Sequence, residues 1–155
     1  MRGTVAVIAV LALVGIGTAE AIASNAQLAD LPGRARPTLS AGGAALTFAG
    51  LALSAAVYAG LGLVLAWIGT AETRAFVIGL GVGAVAGLAG GAIRAYLVSG
   101  YLAAVMAGYG GESLAGLALG IFVALAIAVS LVAGGVITWL SYRAGRRLTT
   151  RRPPR

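Results

Sequence analysis

The sequence contains no cysteine, no histidine and no lysine in its 155 residues. Without Cys or His there is no thiolate nucleophile, no disulfide, no imidazole acid-base group and no ordinary zinc, haem or iron-sulfur ligand set. Charge is scarce as well, at 10% of residues, against about 25% in a soluble domain. The four acids, Glu20, Asp30, Glu72 and Glu112, are dispersed over separate segments, whereas a carboxylate-based enzyme needs two acids close together or an acid beside a nucleophile. The expectation is a protein that is not an enzyme and holds no cofactor or metal. Glycines 79, 81, 83 and 87 superficially look like a phosphate-binding loop, but no strand precedes them and no Lys-Ser or Lys-Thr follows.

What is there is apolar. Hydrophobic residues make up 60% of the chain and glycine 25 of 155 positions, with a mean hydropathy of +1.00, which places the chain among integral membrane proteins. The fifteen charged residues cut it into uncharged runs at 3–19, 37–71, 75–93, 95–111 and 113–142. Crossing a hydrocarbon core of about 30 Å takes roughly 20 apolar residues in a helix. The run after Arg94 has no turn residue to reverse it, so it continues the third helix. The pattern predicts an all-α membrane protein with four transmembrane helices in an antiparallel bundle, near 4–25, 39–68, 74–109 and 113–143. Residues 1–143 form one transmembrane domain and 144–155 a basic cytoplasmic tail. Pro32, Gly33 and Pro37 mark the first loop, 69–73 the second, and Gly108, Gly110 and Gly111 the third. The two short loops predict that helices 2 and 3, and helices 3 and 4, pack as neighbouring hairpins. No stretch alternates with period two, as a strand of a membrane barrel would.

Arginine fixes the expected orientation. Six arginines follow Tyr142, and arginine near helix ends marks the cytoplasmic side. With four spans both termini are then cytoplasmic, together with the loop at Glu72 and Arg74, where those two side chains are expected to pair. Trp67 and Trp139 fall at the same level, where amphipathic rings prefer the headgroup layer. The tail arginines Arg143, Arg146, Arg147, Arg151 and Arg152 fix this orientation and are candidates for contact with anionic lipid. Nucleic acid is not an expected partner, because no aromatic stacking platform accompanies the arginines. Residues 1–26 also have the layout of a secretory signal, with Arg2, an apolar stretch and Ala21-Ile22-Ala23 before Ser24. Cleavage there would leave three spans; retention is the expectation, since 4–23 is long enough to cross.

The strongest pattern is a ladder of small residues. Gly79, Gly83, Gly87 and Gly91 recur at every fourth position and continue into Ala95, Ser99, Ala103 and Ala107. Lipid tails are as apolar as leucine, so helices associate in a bilayer where small residues let backbones approach. A four-residue step drifts by about 40° around the helix, which predicts a spiralling groove with different neighbours along its length. Helix 4 carries Gly116, Gly120, Ala124 and Ala128, and helix 2 carries Ala52, Ala56 and Gly60. These ladders suit packing within one subunit or contact with another membrane protein or a second copy.

Two charges lie inside the helices. A charge at the bilayer centre costs about 2.5 to 3.5 kcal/mol on insertion scales unless it pairs or reaches water. Counted from the cytoplasmic ends, Glu20 and Arg94 stand roughly 24 and 28 Å along their helices, so an intramembrane ion pair between them is predicted in the outer half of the bundle. Arg94 snorkelling to the headgroups, or lining a substrate path, remain alternatives. Glu112 and Ser113 have the character of a helix start. Two function classes follow. The first is a non-catalytic accessory or assembly subunit that docks on other membrane helices through its ladders. The second is a small channel or transporter component with Arg94 on an anion or solute path. The first is favoured, since transport paths usually show several intramembrane polar groups or proline-broken helices. Arginine as the only basic residue, with abundant Ala and Gly, suggests a prokaryotic cell membrane.

Overall fold

In water a helix this rich in glycine would be marginal, since each Gly costs about 1 kcal/mol relative to Ala. In a bilayer every backbone N–H and C=O has to be satisfied within the segment, and the helix is what does this. The computed structural model describes residues 1–29, 41–107 and 112–150. Four helices account for nearly all of them: α1 Arg2–Ala29, α2 Ala41–Trp67, α3 Glu72–Ala107 and α4 Glu112–Thr150. All four are long and apolar enough to cross a membrane, and there is no strand among the described residues. The loops at 30–40 and 108–111, with Asp30, Arg34, Arg36 and Tyr109, lie outside the described residues, as do Arg151, Arg152 and Arg155. α3 is one unbroken helix of 36 residues through Arg94. α4 runs past the expected end at 143, and Gly145 is buried against Ala66 and Leu63 of α2. The first part of the expected tail is therefore a packed continuation of α4.

The α2–α3 connection is a Schellman turn. Gly69 has φ +67°, Thr70 N–H donates to Leu65 C=O at 3.0 Å, and Gly69 N–H donates to Ala66 C=O at 3.2 Å. This is the pattern in which a left-handed glycine caps the last helical carbonyls. The tight turn does not make α2 and α3 neighbours. They barely touch, and the expectation that a short loop packs them together is corrected: α2 packs on α4 and α1, while α3 packs on α4 and α1. Thr138 of α4 is the reason. It is fully buried, its hydroxyl donates to Tyr58 C=O at 3.4 Å, and its Cβ and Oγ1 lie in the space that a Cβ on Gly79 would occupy. Gly62 of α2 faces the Thr138 carbonyl in the same way. Glycines on α2 and α3 thus each admit α4 to close approach.

The helices form a ring in the order α1, α2, α4, α3, and among the described residues α1 and α4 do not approach each other across it. The core gathers toward the α2–α3 turn, where Leu65, Ala66, Ala75 and Tyr142 are buried. Tyr142 donates its hydroxyl to Thr70 C=O at 2.5 Å and pins α4 to the turn. Toward the opposite end of the bundle a cleft opens that all four helices line.

Candidate functional site

Glu20 stands on the third-last turn of α1 and Arg94 four turns before the end of α3. The ring makes these helices neighbours running in the same direction, so residues at equal height meet. The structure brings the two together: Arg94 Nη2 donates to Glu20 Oε2. The Glu20 side chain is only 11% exposed and Arg94 33%. Arg94 therefore reaches sideways to a carboxylate rather than only along its helix to the headgroups. Gly50 of α2 completes the arrangement. A Cβ there would come 2.5 Å from Glu20 Oε2 and 2.9 Å from its Cδ, so the missing side chain at 50 is the space the carboxylate occupies. No spacing rule in the sequence marks Gly50; only the height of Glu20 on an antiparallel neighbour points to it.

The pair forms one end of a cleft of about 440 Å³. α1 contributes Leu13 and Gly17, α3 contributes Ala86, Gly87, Gly90 and Gly91, and together they form a wall. Across from it stand Ser54 and Tyr58 of α2, and Phe122, Ala126 and Val129 of α4. The described hydrogen bonds and close glycine contacts between α2 and α4 all involve Tyr58 or later residues of α2. Before Tyr58, Leu51 of α2 and Val129 of α4 line the cleft and are exposed. The lining is mostly apolar, with Glu20, Arg94, Ser54, Tyr58 and Ser130 as its polar members. It offers charge and hydrogen bonding at one end and a smooth hydrocarbon surface along the rest.

The ladder of α3 serves α4. A Cβ on Gly79 would lie 2.6 Å from the Gly134 carbonyl, on Gly87 2.9 Å from the Ala126 carbonyl, and on Gly91 3.1 Å from the Ala126 Cβ. Gly83 sits directly against the Ser130 carbonyl. One partner thus covers all four glycines, where the sequence suggested that neighbours change along the groove. A helix lying along the i, i+4 row follows the drift of that row and remains over it. The residues that α4 presents here, Ala126, Ser130, Gly134 and Thr138, form their own four-step series, in which only one position is glycine. The Gly116 series does not pack within the subunit: Gly116 and Gly120 are exposed, and a Cβ at either meets nothing within 4 Å. Ala124 and Ala128 are exposed with them. Likewise Ala52 and Ala56 of α2 are exposed and Gly60 faces open space.

At the turn end, Glu72 takes a different partner from the one expected. Its Oε1 accepts from Arg143 Nε at 2.7 Å and from Trp139 Nε1 at 2.7 Å, and the Arg143 guanidinium lies 4.1 Å from the Trp139 ring centre. Glu72 is thus tied to α4, whose side chains reach across the turn, and not to Arg74 on its own helix. Arg143, one of the candidate lipid contacts, is occupied by this cluster. With Arg146 and Arg147 it borders a broad hollow of about 560 Å³ over Thr70 and Glu72. No protein family, curated protein or solved structure matches the chain.

Proposed function

We propose that this chain is a non-catalytic accessory or assembly subunit of a prokaryotic cell membrane that docks on a helix of another membrane protein. The observation that carries this reading is the outward stripe of α4, Gly116, Gly120, Ala124 and Ala128, exposed along its whole length. Burial against lipid offers such a surface no gain over burial against protein, so small residues there favour close helix contact and little else. The α3 ladder is already occupied by α4, which leaves the α4 stripe, with the smaller one on α2, as the surface left for a partner. Both termini are cytoplasmic in this reading, supported by the arginines at 143, 146 and 147 and by Trp67 and Trp139 at one end of the bundle. Contact of Arg146, Arg147, Arg151 and Arg152 with anionic lipid belongs to the same end.

The absence of native cysteine makes the test clean. Gly120→Cys is introduced as the single thiol and oxidised or treated with a short thiol-and-amine crosslinker in native membranes. A crosslinked band containing a second polypeptide supports the reading. A band of twice the chain mass points to a homo-oligomer, and no band at Gly116→Cys or Gly120→Cys contradicts docking through this stripe. A second reading, a small channel or transporter component with Arg94 on an anion or solute path, is favoured by the cleft beside Arg94.

A further inference from the structure

The Glu20–Arg94 pair is neutral as a unit, and this decides what the cleft can accept. Only one contact joins the two residues, Arg94 Nη2 to Glu20 Oε2, so among the described residues Glu20 Oε1 and Arg94 Nε and Nη1 have no hydrogen bond. Both side chains line the cleft. An anion placed on Arg94 alone would put a second negative charge beside Glu20 in a medium where each unpaired charge costs several kcal/mol. A cation on Glu20 alone raises the same difficulty beside Arg94. A group carrying one charge of each sign satisfies both residues and keeps the sum at zero.

The rest of the cleft specifies what such a group is attached to. Counted from Thr4 and Ala75 at the other end of the bundle, Glu20 and Arg94 stand roughly 24 and 28 Å along helices that cross a hydrocarbon core of about 30 Å, close to the level where headgroups give way to acyl chains. From there the cleft runs toward Tyr58 past Gly87, Gly90 and Gly91 with an apolar lining, and two of its lining residues, Leu51 of α2 and Val129 of α4, are exposed on the outside of the bundle. A volume of about 440 Å³ falls in the range of roughly 300–1,000 Å³ typical of ligand sites. We infer that this cleft binds a lipid with a phosphate-ammonium zwitterionic headgroup, the phosphate on Arg94, the ammonium on Glu20 and one acyl chain along the glycine wall. The inference is independent of docking through α4.

The test uses the full chain purified in a maltoside detergent, offered equal amounts of phosphatidylethanolamine and phosphatidylglycerol with identical acyl chains, with bound lipid read by native mass spectrometry. The wild type is expected to retain the zwitterionic lipid over the anionic one by about tenfold or more, the ratio set by one uncompensated charge of at least about 1.4 kcal/mol. Glu20→Gln leaves Arg94 without its carboxylate and reverses the preference toward the anionic lipid. Gly90→Leu, at a position where a Cβ meets nothing within 4 Å, fills the cleft and removes retention of both lipids with an unchanged unfolding midpoint. Equal retention of the two lipids by the wild type, the same ranking in Glu20→Gln, or full retention in a folded Gly90→Leu would each overturn the proposal. Water-soluble glycerophosphoethanolamine forms the control arm. Its failure to displace the lipid at tenfold excess supports a lipid occupant, and its displacement of the lipid shows that a soluble zwitterion is the ligand and overturns the lipid assignment.

Discussion

Arg94 of α3 donates to the carboxylate of Glu20 on α1, and that carboxylate rests where a side chain on Gly50 of α2 would be. Three helices are thereby joined at one height by an ion pair that is largely, though not wholly, withdrawn from solvent. Removing one partner leaves a charge in a region of low dielectric, whereas removing both leaves only lost packing.

Glu20→Gln and Arg94→Gln are each expected to lower stability by about 1 to 3 kcal/mol, below the full cost of breaking a buried pair because Arg94 is a third exposed. The double variant should be no less stable than the worse single variant. Unfolding in detergent, followed by circular dichroism, measures the cycle; additive losses would mean that the two side chains act separately.

Gly50→Ala should weaken the same joint, because its new methyl group meets Glu20 Oε2 at 2.5 Å. Gly60→Ala, one helix face away with open space around it, is the matched control and should be neutral or slightly stabilising from helix propensity alone. Comparing the two unfolding midpoints checks this, and equal midpoints would show that Gly50 is not needed for the carboxylate.

On α3, Gly83→Ala places a methyl group against the Ser130 backbone carbonyl, which cannot move aside as a side chain can. A loss of about 1 to 3 kcal/mol is expected, typical of overpacking. Gly81→Ala points into open space and should change stability by less than about 1 kcal/mol. The difference between these two neighbouring glycines tests whether α4 covers the ladder.

Retention of α1 is a further expectation. Cleavage after Ala23 would remove Glu20 and leave Arg94 without its partner. The intact mass of the protein recovered from its native membrane should therefore include residues 1–23, and a mass matching a chain that begins at Ser24 would show the segment to be a signal.

Much of this arrangement was legible in the sequence, and the remainder was not for a definite reason. The uncharged runs place four helices, and counting residues from charged ends puts Glu20 and Arg94 at one height, since helix rise is constant. Which face of a helix meets a neighbour is another matter. In water an apolar face turns inward, but in lipid Gly116 and Gly120 cost nothing facing out, and their spacing is the same as that of Gly83 and Gly87 facing in. Short loops mislead for a related reason: the turn at Gly69 ties α2 to α3, yet Thr138 fits between Gly62 and Gly79 and separates them. For Glu72 the sequence shows only a near neighbour, Arg74, while its partner Arg143 arrives from a helix seventy residues on.

The central claim is that the outward stripe of α4 holds a partner. Its most direct test is the mass of the intact complex purified in mild detergent from the native membrane, for the wild type and for Gly116→Leu with Gly120→Leu. The account predicts a stoichiometric second protein on the wild type and its loss from the variant, with the fold retained. A wild-type protein that emerges alone, or a partner that stays bound to the variant, would contradict it.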